Sequence, residues 1–65
     1  MNSLGLRLRK IRDSKGISQQ ELADNADVAK STVQRIENGT YNPTILLLEK
    51  LATALNEDLT NFIKK

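Results

Sequence analysis

The stretch that decides the architecture runs from Gln19 to Asn38 and reads QQELADNADVAKSTVQRIEN. Just ahead of it, Ser18 followed by Glu21 makes a capping box, in which hydroxyl and carboxylate each satisfy a backbone donor left unpaired at a helix start. The pattern predicts a short helix from Gln19 to about Asn25 that buries Leu22, Ala23 and Ala26. A second is predicted from about Lys30 to Asn38, with Val33 and Ile36 inward and Gly39 as its stop. Only about three or four residues around Ala26–Val28 join the two, so they must cross steeply rather than lie antiparallel. The crossing needs a small residue, and Ala23 supplies it. With those positions inward, Lys30, Ser31, Gln34 and Arg35 face outward from one end of the second helix. By spacing and packing this is a helix-turn-helix, over about residues 18–38.

Leu4, Leu8 and Ile11 at i, i+4 and i+7 predict a helix over roughly residues 3–14, ended by Gly16. After the polar connector Thr40–Pro43, Thr44 can cap a helix over about residues 45–55 that buries Ile45, Leu48, Leu51, Ala52 and Leu55, with Asn56 ending it. A last short helix from about Asp58 carries Leu59, Phe62 and Ile63, and Lys64 and Lys65 suit its negative end. No stretch alternates at period two long enough for a sheet. The expectation is an all-α fold of five short helices, with residues 1–65 forming a single domain.

Composition narrows the function. Of 65 residues, 38% are apolar and 28% charged, the balance of a globular chain. No apolar run approaches the ~18 residues of a membrane span, and no apolar segment follows the basic N-terminus to make a secretion signal, so a cytoplasmic location is expected. Cysteine and histidine are both absent. That removes disulfides, thiolate and imidazole metal sites, and the usual neutral-pH acid–base group. No nucleophile–base pair, metal cluster or glycine-rich phosphate loop can be assembled, so neither an enzyme nor a cofactor is expected. The net charge of +2 is uneven. Residues 1–20 hold Arg7, Arg9, Lys10, Arg12 and Lys15 against Asp13 alone, whereas residues 21–40 are net acidic. A local basic patch fits nucleic acid or an anionic membrane surface, and equally a solvated helix face.

The chain resembles the Cro/C1-type helix-turn-helix family of transcriptional regulators, also called the xenobiotic-response-element family. The resemblance runs from Leu4 to about Phe62, and its sharpest matches are Gly-Ile-Ser-Gln at 16–19, Glu-Leu-Ala at 21–23 and Ile-Glu-Asn-Gly at 36–39. It implies a lambda-repressor-like domain whose helix over residues 29–38 enters the DNA major groove, where each base pair shows a distinct donor–acceptor pattern. Lys30, Ser31 and Arg35 occupy positions similar to its base-reading set, with Gln34 a further candidate. Arg35 has the planar fork suited to guanine O6 and N7. Gln19 matches the family's phosphate clamp. Thr32, Thr40, Tyr41 and Asn42 are weaker phosphate candidates, with packing an equal alternative for Tyr41. Arg12 and Glu37 match an arginine–glutamate pair that joins the first helix to the end of the third. Arg7 and Arg9 either touch phosphate or merely solubilise the first helix.

Four positions, in three places, depart from the pattern. Asp27 stands where the family usually has glycine, so it must adopt a left-handed conformation, which Asp tolerates better than most residues. Ala29 stands where a hydroxyl or acidic cap is usual. Leu46 and Leu47 replace residues that are more often polar, and Leu46 points away from the buried stripe. That exposure points to a homodimer in which Leu46 or Leu47 and the final helix (Leu59, Phe62, Ile63) meet their symmetry mates; the alternative folds Phe62 and Ile63 back onto the monomer core. A dimeric, repressor-like regulator would read a palindromic double-stranded operator and would associate with the nucleoid when bound. An antitoxin or a restriction–modification controller of the same fold, and a helical protein-interaction module without DNA binding, are the competing readings. No membrane or small-molecule partner is expected.

Overall fold

The computed structural model describes residues 3–63, with side chains described for residues 4–62. Lys64, Lys65 and the side chain of Ile63, named above, lie outside the described residues. In chain order the helices are α1 (Ser3–Ser14), α2 (Gln19–Ala26), α3 (Lys30–Asn38), α4 (Ile45–Ala54) and α5 (Thr60–Ile63). Among the described residues no strand forms, and no helix is long and apolar enough to cross a membrane.

The caps expected from the sequence are local, and each forms. Ser18 Oγ accepts the Glu21 backbone N–H at 3.0 Å, and Glu21 Oε1 accepts that of Ser18 at 3.0 Å. Thr44 Oγ1 accepts the Leu47 N–H at 3.1 Å. Gly39 ends α3 in the left-handed region with φ 79°, and its N–H and that of Thr40 return to the carbonyls of Ile36 and Arg35. Asp27 adopts φ 58° and ψ 47° at the end of α2, as the tight turn requires.

One core collects Leu8 from α1, Leu22, Ala23 and Ala26 from α2, Val33 and Ile36 from α3, and Leu48, Leu51, Ala52 and Leu55 from the α4 region. Three sequence expectations need correction. Ile45 is 56% exposed rather than buried. It is the first residue of α4 and lies some 70° off the centre of the stripe set by Leu48, Leu51, Ala52 and Leu55, beyond the helices that cover the rest. Phe62, placed at a dimer interface, is only 2% exposed and joins the monomer's own core. Burying that ring removes its apolar surface from water within the monomer, a gain of about 2–3 kcal/mol that needs no second copy. The final helix also begins at Thr60 rather than near Asp58, whose Oδ1 instead accepts the Thr60 N–H at 3.1 Å.

Candidate nucleic-acid interface

The recognition candidates follow from how α3 sits. Val33 and Ile36 are fully buried and fasten one side of the helix to the core. At about 100° per residue, Lys30, Ser31, Gln34 and Arg35 then fall within an arc of about 140° on the opposite side. All four are exposed, and Thr32, at the edge of the arc, is half-buried. The arc carries two cations, and no acid lies within residues 29–36.

The N-terminal end of α3 is built at some cost to helix stability. Its cap residue Ala29 has the extended backbone of a cap, φ −72° and ψ 145°, but makes no side-chain cap hydrogen bond, and the first turn holds no acid. Lys30 stands there instead, where a cation opposes the helix dipole by a few tenths of a kcal/mol. The end of the helix is therefore left positive, which suits an anionic partner better than it suits the isolated fold.

Gln19 opens α2, and its amide does not hang free: Nε2 donates to Glu37 Oε1 at 3.0 Å. Arg12 meets the same carboxylate in bidentate fashion, with Nε 2.8 Å from Oε2 and Nη2 3.1 Å from Oε1. That hydrogen bond, with Coulomb attraction to Glu37 and Asp13 and against the cost of burial, raises the Arg12 pKa further above its already high value. Arg12 Nη1 also donates to the Ile17 carbonyl at 2.8 Å. The cluster thus ties α1, the turn into α2 and the last turn of α3 together. The Gln19 connection and the Ile17 bond were not visible in the sequence, because neither has a periodicity to betray it.

The other candidates divide. Thr40, Tyr41 and Asn42 are exposed on the connector after α3. The Thr40 hydroxyl donates to the Arg35 carbonyl at 3.3 Å, which trims the end of α3 and leaves its oxygen lone pairs as acceptors. Arg7 is half-buried, and its Nη1 points to the Phe62 carbonyl at 3.4 Å, so it bridges α1 and α5. Arg9 is exposed, 3.9 Å from Asp13. Leu46 is 73% exposed, the most open large apolar side chain among the described residues. It lines a shallow open groove with Asn25, Glu49, Lys50 and Leu59. Leu47 and Leu59 are half-buried against the core. Among the described residues no group of three or more acidic, histidine or cysteine side chains gathers as a metal site would need.

Comparison with known proteins agrees with this geometry. The model of a family described as helix-turn-helix matches residues 8–62. An uncharacterised HTH-type transcriptional regulator of Archaeoglobus fulgidus is 39% identical over 59 residues, which is 86% of this chain and 84% of that protein. The crystal structure of the restriction-modification controller protein C.AhdI from Aeromonas hydrophila superposes with a TM-score of 0.91 at 36% identity, covering 94% of this chain and 92% of that one. The N-terminal DNA-binding domain of SinR from Bacillus subtilis superposes with a TM-score of 0.91 at 35% identity, covering 100% of this chain and 96% of that one.

Proposed function

Because the chain belongs to the Cro/C1-type helix-turn-helix family of DNA-binding transcriptional regulators, we propose that it reads a double-stranded operator in the major groove through α3. The observation that carries this reading is the exposed arc of Lys30, Ser31, Gln34 and Arg35 on a helix whose other side is locked into the core. Arg35 and Lys30 supply donors for guanine O6 and N7, Gln34 serves adenine or a phosphate, and the Ser31 hydroxyl can donate to or accept from a base edge. Gln19, Thr32, Thr40, Tyr41 and Asn42 hold the backbone on both sides of the groove and set register without choosing sequence. Arg12 and Glu37 keep α3 in its orientation.

Residues 1–65 act in this reading as one DNA-binding unit with no catalytic step, in the cytoplasm and on the nucleoid. A second copy docks through Leu46, with Leu47 and Leu59 at the margin. Leu46 and Leu59 line one groove, and Glu49 and Lys50 beside them offer opposite charges that a two-fold axis can pair. A protein-interaction module without DNA binding is not favoured, since the relatives are DNA-binding regulators and the α3 arc carries cations without acids.

Selection of bound fragments from a random duplex pool tests the proposal. The expected result is an enriched, roughly palindromic site with half-sites about one helical turn apart, and affinity that falls steeply between low and physiological salt. Recovery of no preferred sequence at any salt would remove it.

A further inference from the structure

The Glu37 carboxylate gathers donors from two other helices. Besides the bidentate pair from Arg12, its Oε1 accepts Nε2 of Gln19 at 3.0 Å. The Glu37 side chain is only 3% exposed, so these contacts are made largely away from water. An ionised carboxylate only accepts hydrogen bonds, whereas the Gln19 amide has a donating and an accepting end. Glu37 therefore selects one of the two amide orientations, with the nitrogen turned toward it. Only one of the two N–H bonds on that nitrogen is used in this contact. Arg12 matters here in a second way. Its charge offsets that of Glu37, so an acceptor placed beside the start of α2 does not repel an anion there.

We propose that Glu37 is a positioning residue for a DNA-phosphate contact by Gln19: it engages one N–H of the amide and thereby fixes the orientation in which the other is offered to the backbone. The inference rests on the DNA-binding reading above and extends it. The phosphate grip at the start of α2 and the base register of α3 are then coupled through one carboxylate, because Glu37 belongs to the last turn of α3 itself.

The test uses a duplex recovered by selection and resynthesised with a neutral methylphosphonate in place of one backbone phosphate at a time. Wild-type protein is expected to lose about tenfold in affinity at one position per half-site through the Gln19 contact, the size of one hydrogen bond to a charged group. Gln19→Ala and Glu37→Gln should each bind the unmodified duplex about tenfold more weakly and become indifferent to that one substitution, while the penalties at other phosphates persist. A Glu37→Gln protein that still senses the same phosphate overturns the proposal. So does a Gln19→Ala protein whose sensitivity is unchanged everywhere, although DNA binding would then stand. A wild-type protein that binds no duplex would instead defeat the functional reading itself.

Should Glu37→Gln fail to fold, the free wild-type protein decides. The Gln19 side-chain amide should be about as ordered on the ps–ns timescale as rigid backbone, and well above the exposed amide of Gln34. Equal disorder of the two would overturn the positioning role.

Discussion

Gly5 faces the carbonyl oxygen of Ile36 so closely that a side-chain carbon at position 5 would overlap it, and the same carbon would stand 2.8 Å from the carbonyl oxygen of Glu37. The first helix thus lies backbone to backbone against the last turn of α3, and Arg12, two turns further along α1, reaches the Glu37 side chain at 2.8 Å. Beside the core contacts of Val33 and Ile36, α3 is thus held against α1 by a close backbone approach at one point and an ion pair at the other.

Gly5→Ala should therefore destabilise the fold. In an open helix the change would gain about 0.5–1 kcal/mol from propensity. Here the displaced atoms are backbone carbonyls, which cannot rotate away, and overpacking costs about 1–3 kcal/mol. The net expectation is a lower midpoint in denaturant unfolding at unchanged m. A higher midpoint would show that the two helices are not in this contact.

Arg35→Ala should weaken operator binding by about 1–3 kcal/mol and relax preference at one base position, without moving the others. Competition binding against single-base operator variants checks this. Equal losses on every duplex would assign Arg35 to the backbone instead.

Ala29→Ser should stabilise the protein by about 0.5–2 kcal/mol, because the backbone already has cap geometry and lacks only the side-chain acceptor. Thermal unfolding of the free protein measures it. A gain of 1 kcal/mol corresponds to about 4–8 °C in a domain of this size. No rise in Tm would mean that the first turn of α3 is already satisfied by other groups.

Acid should loosen the contact between the turn after α1 and the connector that leads into α5. Lys15 Nζ lies 3.1 Å from Glu57 Oε2, and Asn61 Nδ2 also donates to Glu57. These two hydrogen bonds, Lys15 first, hold the Glu57 pKa below its ordinary 4.5. A carboxylate whose folded pKa is depressed contributes stability above its unfolded pKa, and that contribution is lost as pH falls through the folded value. Lys15→Met should thus lie below wild type in stability at neutral pH and converge on it as pH falls through the depressed pKa of Glu57, in unfolding curves taken across pH. A constant gap down to pH 2 would assign the effect to packing of the lysine stem.

Leu46→Glu should lower self-association while leaving the monomer fold intact, since the residue is 73% exposed. Sedimentation equilibrium reads the first effect and circular dichroism the second. Undiminished dimerisation would move the interface elsewhere.

What could be read from the chain follows the range of each interaction. The Ser18–Glu21 box, the Thr44 cap, the stop at Gly39 and the left-handed Asp27 act within about one turn, so neighbours in sequence suffice to predict them. The outward arc of α3 was legible for a related reason: once Val33 and Ile36 are taken as buried, helical geometry leaves Lys30, Ser31, Gln34 and Arg35 on the other side. Ile45 and Phe62 were misplaced because periodicity gives a direction around a helix axis but not what stands in that direction. Ile45 lies at the edge of its stripe and stays 56% exposed, whereas Phe62 is taken into the shared core.

The sequence alone thus supplied the five helices, the capped ends at Ser18, Gly39 and Thr44 and the face that α3 turns outward, because propensity, capping and periodicity are local. The Arg12–Glu37 pair was expected from the resemblance, but the approach of Gly5 to Ile36, the seating of Gln19 on that same carboxylate, and the Lys15–Glu57 clamp came only from the tertiary structure. Each joins groups at least 18 residues apart, from Gln19–Glu37 at that separation to the Lys15–Glu57 pair. Such contacts depend on how rigid helices stack in three dimensions, and no spacing along the chain encodes that stacking.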